Sequence, residues 1–394
     1  MSISSNIYNS QKLIETEKLR CWVEINLSNL KNNIEIIRSI IPNNYNIICV
    51  LKANSYGLGS IMISKYLSSI GINYFAVATL EEALELRNLG KVNGEIIILN
   101  WVPLCEIETI IKNDLTLTLI DYEYAKHLNS LSKVIKCYIK IDLGTNRFGF
   151  KKNDIKQIVN CFTFKNLKIE GFYSHLFRNE ELSKEDDNYN KIQIENYNYI
   201  IKKLEENGVK TGLNHLINSF QILNYNENKC DFLKKGLLMY RINPYQNNMN
   251  LKLLNKYKFK PIASLKCKIV QVKNIKKGDK VGYNSKYIAN DKTKIAIISI
   301  GYADGLSFSS SRNELNVIVN GVLCPIIGNI CMDCAIIKIP LESGIKEGDI
   351  VTIFGYNNDG DEYLNMKEFI LKSGSPIGEV FSRLGSRIIR IYHL

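Results

Sequence analysis

Short apolar runs alternate with amphipathic stretches through the first two thirds of the chain. The apolar runs predict eight strands, at residues 47–51, 74–78, 95–99, 115–119, 135–141, 168–173, 213–217 and 234–240. Between them, segments such as 80–89 and 187–207 have the apolar spacing of helices, and Asn207-Gly208 is a typical helix C-terminus. Eight βα units within about 200 residues are the number found in a (β/α)8 TIM-type barrel, and a doubly wound open sheet is the alternative.

The two ends of the chain differ from this alternating middle. Residues 1–20 are polar, and residues 22–27 predict one more strand, followed by a helix with Ser28 at its N-cap. Beyond about residue 244 the strand-like runs are separated by turn residues rather than by helices. We therefore expect a polar N-terminal extension at 1–20, the barrel at 21–243 and a mainly β domain at 244–394.

The composition changes this picture little. The 394 residues are 45% hydrophobic and 23% charged, which is ordinary for a globular chain, and the net charge is +12. The basic residues occur singly or in pairs, with no run of five, so we expect a solvated surface and no nucleic-acid partner. No signal segment and no apolar stretch of the roughly 18 residues that a membrane span needs is present, so we expect a cytoplasmic protein without a membrane partner.

The cysteines are the next candidate for chemistry. Ten of them are spread thinly along the chain, several within apolar runs, which favours reduced and mostly buried thiols. The pair Cys331 and Cys334 forms a lone C-x-x-C, and no second pair completes a zinc site. We therefore expect no metal, although a redox or metal role for this pair is the alternative.

The ends of the predicted strands carry more informative residues. Functional groups of a barrel gather where its strands end, and Lys52, Arg147 and His175 follow the first, fifth and sixth strands. A lysine at the end of an apolar strand suits Schiff-base chemistry, because its neutral amine is less costly there. Arginine binds carboxylates through two nitrogens, and the backbone amide of Gly236 can approach a phosphate. Each residue alone has an ordinary structural explanation, whereas together they predict one site.

Longer motifs around these residues resemble those of the pyridoxal-phosphate-dependent alanine racemases. The resemblance covers roughly residues 21 to 394. Its motifs are Lys52-Ala53-Asn54-Ser55-Tyr56-Gly57, residues 142–149, Tyr173-Ser174-His175, Asn218-Ser219, Val281-Gly282-Tyr283, Gly301-Tyr302-Ala303-Asp304-Gly305 and residues 328–333. The family's fold is a barrel followed by a β domain, in agreement with the pattern of strands.

The resemblance implies two catalytic residues on opposite faces of the substrate. Lys52 would form the Schiff base with pyridoxal phosphate, and Tyr283 would reach the barrel of a partner subunit, so that a homodimer shares its active sites. Arg147 and the backbone amide of Met332 would bind the substrate carboxylate. Lys140 matches a lysine that in many members is carbamylated and steadies the arginine.

The resemblance also assigns the contacts of the cofactor. The phosphate would be bound by Tyr56, Ser219 and the amides near Gly236 and Leu237, and His175 would lie against the pyridine ring. The supporting residues would be Asn218, Tyr302 and Asp333.

Three positions depart from the family pattern. Lys234 stands where the family has an arginine opposite the pyridine nitrogen, and Gly378 stands where it has a tyrosine that narrows the substrate pocket. Tyr240-Arg241 replaces the usual Tyr-Gly, and nothing in the sequence explains this change. We expect racemisation of alanine, supplying D-alanine for peptidoglycan, with serine as the alternative substrate. Decarboxylation and cofactor binding without catalysis are disfavoured, because neither needs Tyr283.

Overall fold

The computed structural model describes residues 18–41, 45–176, 184–216, 232–241, 254–311, 315–357, 363–364 and 366–394. Its first nine strands are β1 (Cys21–Asn26), β2 (Asn46–Val50), β3 (Tyr74–Val77), β4 (Glu95–Ile98), β5 (Leu117–Leu119), β6 (Ile135–Lys140), β7 (Leu167–Tyr173), β8 (Leu213–His215) and β9 (Phe232–Lys235). The strands from β2 onward correspond to the eight predicted ones. The last residue of the predicted strand 213–217 lies outside the described residues.

The strands β2 to β9 run parallel to one another. Within the described residues they form two sheets of four, in the orders β4-β3-β2-β9 and β5-β6-β7-β8. A parallel bridge between Ile97 and Thr116 joins the two sheets, and β8 contacts β9. The strands therefore follow one another in space as they do in sequence, which brings their carboxyl ends to one side of the domain.

Helices connect most of these strands and cover them. They are α1 (Leu27–Ile40), α2 (Lys52–Tyr56), α3 (Ser60–Ser69), α4 (Leu80–Asn88), α5 (Ile107–Lys112), α6 (Tyr122–Ser130), α7 (Ile155–Cys161) and α8 (Lys184–Glu206). The predicted N-cap of the first helix is wrong. Asn26 caps α1 instead, because its side-chain oxygen accepts a hydrogen bond from the N–H of Asn29 at 2.7 Å.

The predicted strand at 234–240 is wrong in its second half. The strand β9 ends at Lys235, and Leu237–Tyr240 forms a 3-10 helix. Gly236 separates the two elements with φ −118° and ψ −102°, which no longer extends the strand. The glycine therefore lies directly beyond the carboxyl end of β9.

The remaining strands form the mainly β part of the chain. They are β10 (Ala263–Ile275), β11 (Lys280–Val281), β12 (Tyr287–Ile288), β13 (Thr293–Ile298), β14 (Asn316–Val319), β15 (Val322–Ile327), β16 (Ala335–Ile339), β17 (Ile350–Tyr356), β18 (Tyr363–Leu364) and β19 (Ile389–His393). Two helices lie near the end, α9 (Met366–Ser373) and α10 (Ile377–Ser382). Within the described part of the chain, these strands except β11 and β12 form one nine-stranded sheet with β1.

The strand β1 belongs to this sheet and not to the parallel strands that follow it. It pairs antiparallel with β10, placing Cys21 opposite Cys267, and parallel with β19, placing Trp22 opposite Ile389. The beginning and end of the described chain are thus neighbours in one sheet. The described residues include no helix that is both long and apolar enough to cross a membrane.

Candidate active site

Lys52 lies two residues beyond the end of β2, at the start of a turn with unusual backbone geometry. The four residues that follow it, Ala53 to Tyr56, all have positive φ, between 51° and 54°, and so wind as a left-handed helical turn. None of them is glycine, and each costs roughly 1 kcal/mol or more in this conformation. Gly57, with φ 79°, ends the turn. We call residues 52–57 the lysine turn. Its strain must be offset by the surrounding contacts.

The C-terminal part of the chain provides some of these contacts. The Nε of Arg390 donates to the carbonyl of Gly57 at 2.7 Å, and the hydroxyl of Tyr392 donates to the carbonyl of Leu58 at 3.0 Å. Both donors lie on β19, in the mainly β sheet. The position of Lys52 therefore depends on both parts of the fold.

The environment of Lys52 favours its neutral amine. The side chain keeps contact with solvent, yet the surrounding protein desolvates it, and this is the main reason that its pKa lies below the usual value. The positive charge of Arg147 lowers this pKa further, whereas Glu82 opposes the effect. A lysine with a lowered pKa is a better nucleophile near neutral pH.

Arg147 lies in a loop that begins and ends beside β6. The loop closes where Phe150 donates to the carbonyl of Lys140 and Asp142 donates to the carbonyl of Phe150, both at 2.8 Å. Within the loop, the carboxylate of Asp142 accepts hydrogen bonds from the N–H groups of Gly144 and Asn146. These bonds fix the loop, so that the exposed Arg147 is placed beside the carboxyl ends of the strands.

Lys140 is the last residue of β6 and is only 4% exposed. Burial lowers its pKa to about 8, the charge of Arg147 contributes in the same direction, and Asp142 opposes them. Its Nζ lies 5.8 Å from the centre of the Tyr173 ring. Lys52, Lys140 and Arg147 thus concentrate positive charge in one region, which favours the binding of an anionic ligand.

A second corner of the site is formed by Tyr56 and Gly236. The strands β2 and β9 are paired, with Cys49 opposite Lys235, so the residues that follow them are neighbours. A Cβ added at Gly236 would lie only 2.7 Å from the hydroxyl oxygen of Tyr56. The backbone after β9 therefore approaches the tyrosine hydroxyl so closely that a larger residue would require the Tyr56 side chain to move, and Leu237 follows in the 3-10 helix. Backbone amides beside a hydroxyl fit a phosphate group.

The other residues assigned to the cofactor are less completely described. His175 is exposed two residues beyond β7. Tyr173, at the end of the same strand, shares a hydrogen bond of 2.8 Å with Thr118. Asn218 and Ser219 lie outside the described residues, and Lys234 is placed in β9 by its backbone alone.

The remaining candidates lie on the mainly β part of the chain. Tyr283 is 70% exposed, on a turn where Asn329 Nδ2 donates to its carbonyl at 3.0 Å. Met332 and Tyr302 are 53% and 43% exposed. Their backbones meet where the N–H of Ala303 donates to the carbonyl of Met332 at 3.0 Å. The three side chains are thus all exposed on the surface of this part of the chain.

Two arginines hold this surface together through Asp304, which is fully buried. Arg20 Nη1 donates to its carboxylate at 3.0 Å, and Arg387 Nε lies 3.3 Å from the same group. Arg387 also pairs with Asp333 at 2.7 Å. This network gives Asp304 and Asp333 a structural part in placing the two neighbouring motifs.

The C-x-x-C pair lies in the same surface. The N–H of Cys331 donates to the carbonyl of Cys334 at 2.9 Å, and both residues are partly exposed. Burial and the nearby Cys331 raise the pKa of Cys334. In the described part of the chain, no three His, Cys, Asp or Glu side chains are grouped as metal ligands would be.

The structure brings together one set of predicted residues and separates another from it. Lys52, Lys140, Arg147, His175 and Gly236 lie at the carboxyl ends of the parallel strands, together with Tyr56. The second set, Tyr283, Tyr302, Met332 and Asp333, lies on the mainly β part.

Sequence reasoning missed two residues that hold the lysine turn, Glu82 and Arg390. The pattern Thr79-x-x-Glu82 is a recognisable capping box at the start of α4, but it does not reveal the second contact that Glu82 makes. No local pattern marks Arg390.

Comparisons with known proteins find one family over both parts of the chain. Family models match two stretches, the alanine racemase N-terminal domain at residues 25–244 and the alanine racemase C-terminal domain at residues 262–392. An alanine racemase of Methanococcus maripaludis is 32% identical over 94% of this chain and 98% of its own length. An amino-acid racemase of Enterococcus faecalis is 34% identical over 93% of this chain and 50% of its own length.

Solved structures give the same result. The alanine racemase from Bacillus anthracis with bound L-Ala-P superimposes with a TM-score of 0.87 at 30% identity, covering 95% of each chain. The alanine racemase from Bartonella henselae with covalently bound pyridoxal phosphate superimposes with a TM-score of 0.83 at 25% identity, covering 95% of this chain and 99% of that one.

An activated lysine among cations at the ends of parallel strands, with a glycine corner suited to phosphate, is typical of a pyridoxal-phosphate enzyme, and the residues present fit that cofactor. The two-part fold narrows the class further to the amino-acid racemases. The chain belongs to the alanine racemase family, with an N-terminal domain followed by a mainly β C-terminal domain.

Proposed function

We propose that the protein interconverts L-alanine and D-alanine with the residues at the ends of its parallel strands. The observation that carries the proposal is the environment of Lys52, whose pKa is lowered by desolvation and by Arg147. Pyridoxal phosphate, when bound, withdraws electrons from the substrate and so makes the proton on its α-carbon acidic. The protein must then supply groups that bind and orient the substrate and groups that move that proton.

We assign the binding groups from the resemblance to the family, and the described positions of Lys52, Tyr56 and Gly236 support it. Lys52 would hold the cofactor covalently, and the corner of Tyr56, Gly236 and Leu237 would bind its phosphate together with Ser219. His175 would lie against the ring, and Lys234 would face the ring nitrogen. Arg147 and the amide of Met332 would orient the substrate carboxylate, with Asn218, Tyr302 and Asp333 in support.

Racemisation needs a proton to leave one face of the α-carbon and another to return on the opposite face. Lys52 is suited to one face, because its desolvated amine, once the substrate's amino group has taken its place, would be free to accept a proton near neutral pH. We assign the other face to Tyr283, which protrudes from a turn fixed by Asn329. Its hydroxyl would give and take the second proton.

We further propose that Tyr283 acts in a second copy of the chain, so that the active unit is a homodimer with shared sites. Support comes from exposure, because Tyr283, Met332 and Tyr302 are all more than 40% exposed in the isolated chain. The test is to mix two inactive variants, Lys52→Ala and Tyr283→Phe. In a shared-site dimer each mixed pair has one intact site, so random exchange should restore about one quarter of the wild-type activity. No recovery despite proven subunit exchange would contradict the proposal.

Lys140 has the properties that a carbamate requires. Because burial lowers its pKa to about 8, more of its amines are neutral near neutral pH than in an ordinary lysine, and the neutral amine is the form that reacts with carbon dioxide. We propose that Lys140 is carbamylated and that the resulting anion pairs with Arg147. A 13C NMR signal from labelled bicarbonate should appear in the wild type and be missing in Lys140→Ala.

Serine is the second candidate substrate. A Cβ added at Gly378 meets no atom within 4 Å, so the glycine leaves open space where the family has a tyrosine. Circular dichroism of L-alanine and L-serine, followed separately, distinguishes the two substrates. Loss of optical activity with a higher kcat/KM for alanine than for serine supports the proposal. A higher kcat/KM for serine favours the alternative. No loss with either would contradict racemisation.

The domain organisation, the cellular location and the use of the product are part of the same proposal. We infer that β2 to β9 close into a (β/α)8 barrel within residues 21–243, with β1 contributed to the mainly β sheet instead, the rest of the β domain at 244–394 and a polar extension at 1–20. We also infer that the protein is cytoplasmic, consistent with cysteines that form no disulfide within the described part of the chain. Its D-alanine would supply peptidoglycan, so the gene should restore growth of a cell that requires added D-alanine.

A further inference from the structure

We propose that Glu82 is a positioning residue for Lys52, and that its carboxylate holds the lysine turn in place. One oxygen, Oε1, accepts a hydrogen bond from the N–H of Ala53 at 2.6 Å. The other, Oε2, accepts from the N–H groups of Ala78 and Thr79 at 2.7 and 3.3 Å. The same carboxylate thus joins the residue after Lys52 to the end of β3. The inference rests on the proposed function of Lys52.

The lysine turn needs such a partner at its beginning. The first N–H groups of any helical turn lack acceptors within the turn itself. Later groups in the lysine turn are satisfied, since Ser55 donates to the carbonyl of Leu51 and Gly57 donates to the carbonyl of Ala53, both at 2.8 Å. The N–H of Ala53 is instead satisfied by a charged acceptor, and such hydrogen bonds are stronger than neutral ones.

The two ends of the turn are therefore held from different directions. Glu82 accepts from Ala53 at the beginning, and Arg390 donates to Gly57 at the end. With four non-glycine residues at positive φ between these contacts, loss of either one releases backbone strain by changing the turn. Lys52 immediately precedes Ala53, so a change in the turn displaces its side chain first.

Glu82 also acts on Lys52 through its charge. Desolvation and Arg147 lower the pKa of Lys52, and the Glu82 carboxylate raises it. Near neutral pH the carboxylate thus moderates how far the amine is deprotonated. This effect is separate from the hydrogen bond to Ala53, because it depends on the charge of the carboxylate and not on the length of the side chain.

A capping role alone does not account for these contacts. In the capping box of α4, Thr79 Oγ1 accepts from the N–H of Glu82 at 3.3 Å, while the Glu82 side chain caps the N–H of Thr79. That motif uses only Oε2. The bond from Oε1 to Ala53 leaves the helix and spans 29 positions in sequence.

Three variants of the full-length holoenzyme separate the capping of α4 by Glu82 from its support of the lysine turn. Glu82→Gln keeps the reach of the side chain but removes its charge and one acceptor. Glu82→Asp keeps the charge and can still cap α4, but it is one methylene too short to reach Ala53. Thr79→Ala, the matched control, weakens the capping box and leaves the bond to Ala53 intact. For each, the dissociation constant of pyridoxal phosphate, kcat, KM and Tm are measured.

We expect both Glu82 variants to raise the dissociation constant of pyridoxal phosphate and to lower kcat by about tenfold or more, the effect of losing one charge-assisted hydrogen bond. KM for alanine should change less than kcat, since Glu82 contacts no substrate group. Thr79→Ala should lower Tm while cofactor affinity and kcat stay within about twofold of the wild type.

The inference is overturned if Glu82→Asp binds the cofactor and turns over like the wild type. It is equally overturned if Glu82→Gln and Thr79→Ala lower Tm by the same amount and Glu82→Gln loses no more affinity for pyridoxal phosphate than Thr79→Ala does. Failure of the proposed function would look different, because then the wild-type protein itself would bind no pyridoxal phosphate or would turn over no alanine.

Discussion

The Nε of Arg390 lies 2.7 Å from the carbonyl oxygen of Gly57, joining positions 333 residues apart in the sequence. The two Nη atoms donate to the carbonyls of Ile388 and Leu384 at 2.9 and 2.8 Å. The guanidinium thus lies among backbone carbonyls, and its desolvation lowers the pKa of Arg390. One side chain in the C-terminal domain thereby fixes the end of the lysine turn.

Arg390→Met should weaken both the fold and the cofactor site. The apolar replacement leaves three carbonyls without their donor, so we expect the free energy of unfolding to fall by about 2 to 4 kcal/mol. Affinity for pyridoxal phosphate should fall with it. Denaturant unfolding and an absorbance titration measure the two effects.

Arg383→Met is the matched control for that variant. Arg383 pairs with Glu379 on the surface of the chain, one turn apart, and its side chain is 62% exposed. Its loss should change the unfolding free energy by less than about 1 kcal/mol. Equal effects of the two variants would contradict the special position of Arg390.

Lys140→Met should stabilise the cofactor-free protein at neutral pH. The pKa of Lys140 falls to about 8 in the folded chain, so between pH 8 and about 10.4 the unfolded chain binds more protons. The free energy of unfolding of the wild type therefore rises across this window, and the burial of the charge costs up to about 3 kcal/mol below it. Methionine removes that cost at the expense of activity.

The measurement is denaturant unfolding at pH 7 and at pH 10.5, in buffer free of carbon dioxide. The gain from Lys140→Met should be present at pH 7 and largely lost at pH 10.5. Lys136→Met is the control on the same strand, because Lys136 is half-exposed and paired with Asp114. A gain that does not depend on pH would show that packing, not charge, is responsible.

Gly236→Ala should weaken cofactor binding by displacing Tyr56. The added methyl would lie 2.7 Å from the tyrosine hydroxyl oxygen, closer than real Cβ contacts. We expect the dissociation constant of pyridoxal phosphate to rise about tenfold, equivalent to about 1.4 kcal/mol. Gly344→Ala, where an added Cβ meets no atom within 4 Å, should have no effect.

A double variant checks the cause of that loss. In a Tyr56→Phe background the hydroxyl is gone, so Gly236→Ala should cost less than it does in the wild type. If the two losses simply add, the contact between Tyr56 and Gly236 is not the reason for the weaker binding.

Gly378→Tyr should change the choice of substrate. A ring in the open space at this position would crowd a hydroxymethyl group more than a methyl group. We expect kcat/KM for serine to fall at least about tenfold more than kcat/KM for alanine. Parallel circular dichroism assays of the two amino acids measure this ratio. An unchanged ratio would place Gly378 away from the substrate side chain.

Local patterns were sufficient to predict most strands. The predicted strand at 74–78 extends one residue beyond β3, and Lys52 lies, as predicted, beyond the first parallel strand. Such features depend only on residues that are adjacent in sequence, because an apolar run is buried whatever segments of the chain cover it. The interruption at Gly236 was missed, since it depends on the approach of Tyr56 from another segment.

The contacts that complete the site could not be predicted locally. The pairing of Cys21 with Cys267 and the bond from Arg390 to Gly57 join distant parts of the chain. The left-handed turn after Lys52 even opposes local preference, because Ala53 and Ser55 rarely adopt positive φ. Tertiary contacts impose it, and these are specified only by the whole fold.

The most direct test of the account is to reduce the holoenzyme with borohydride and map the modified peptide by mass spectrometry. Borohydride converts the Schiff base between a lysine and pyridoxal phosphate into a stable bond. We expect the cofactor on Lys52, in the peptide that contains the lysine turn. Cofactor fixed to another lysine, or to none, would contradict it.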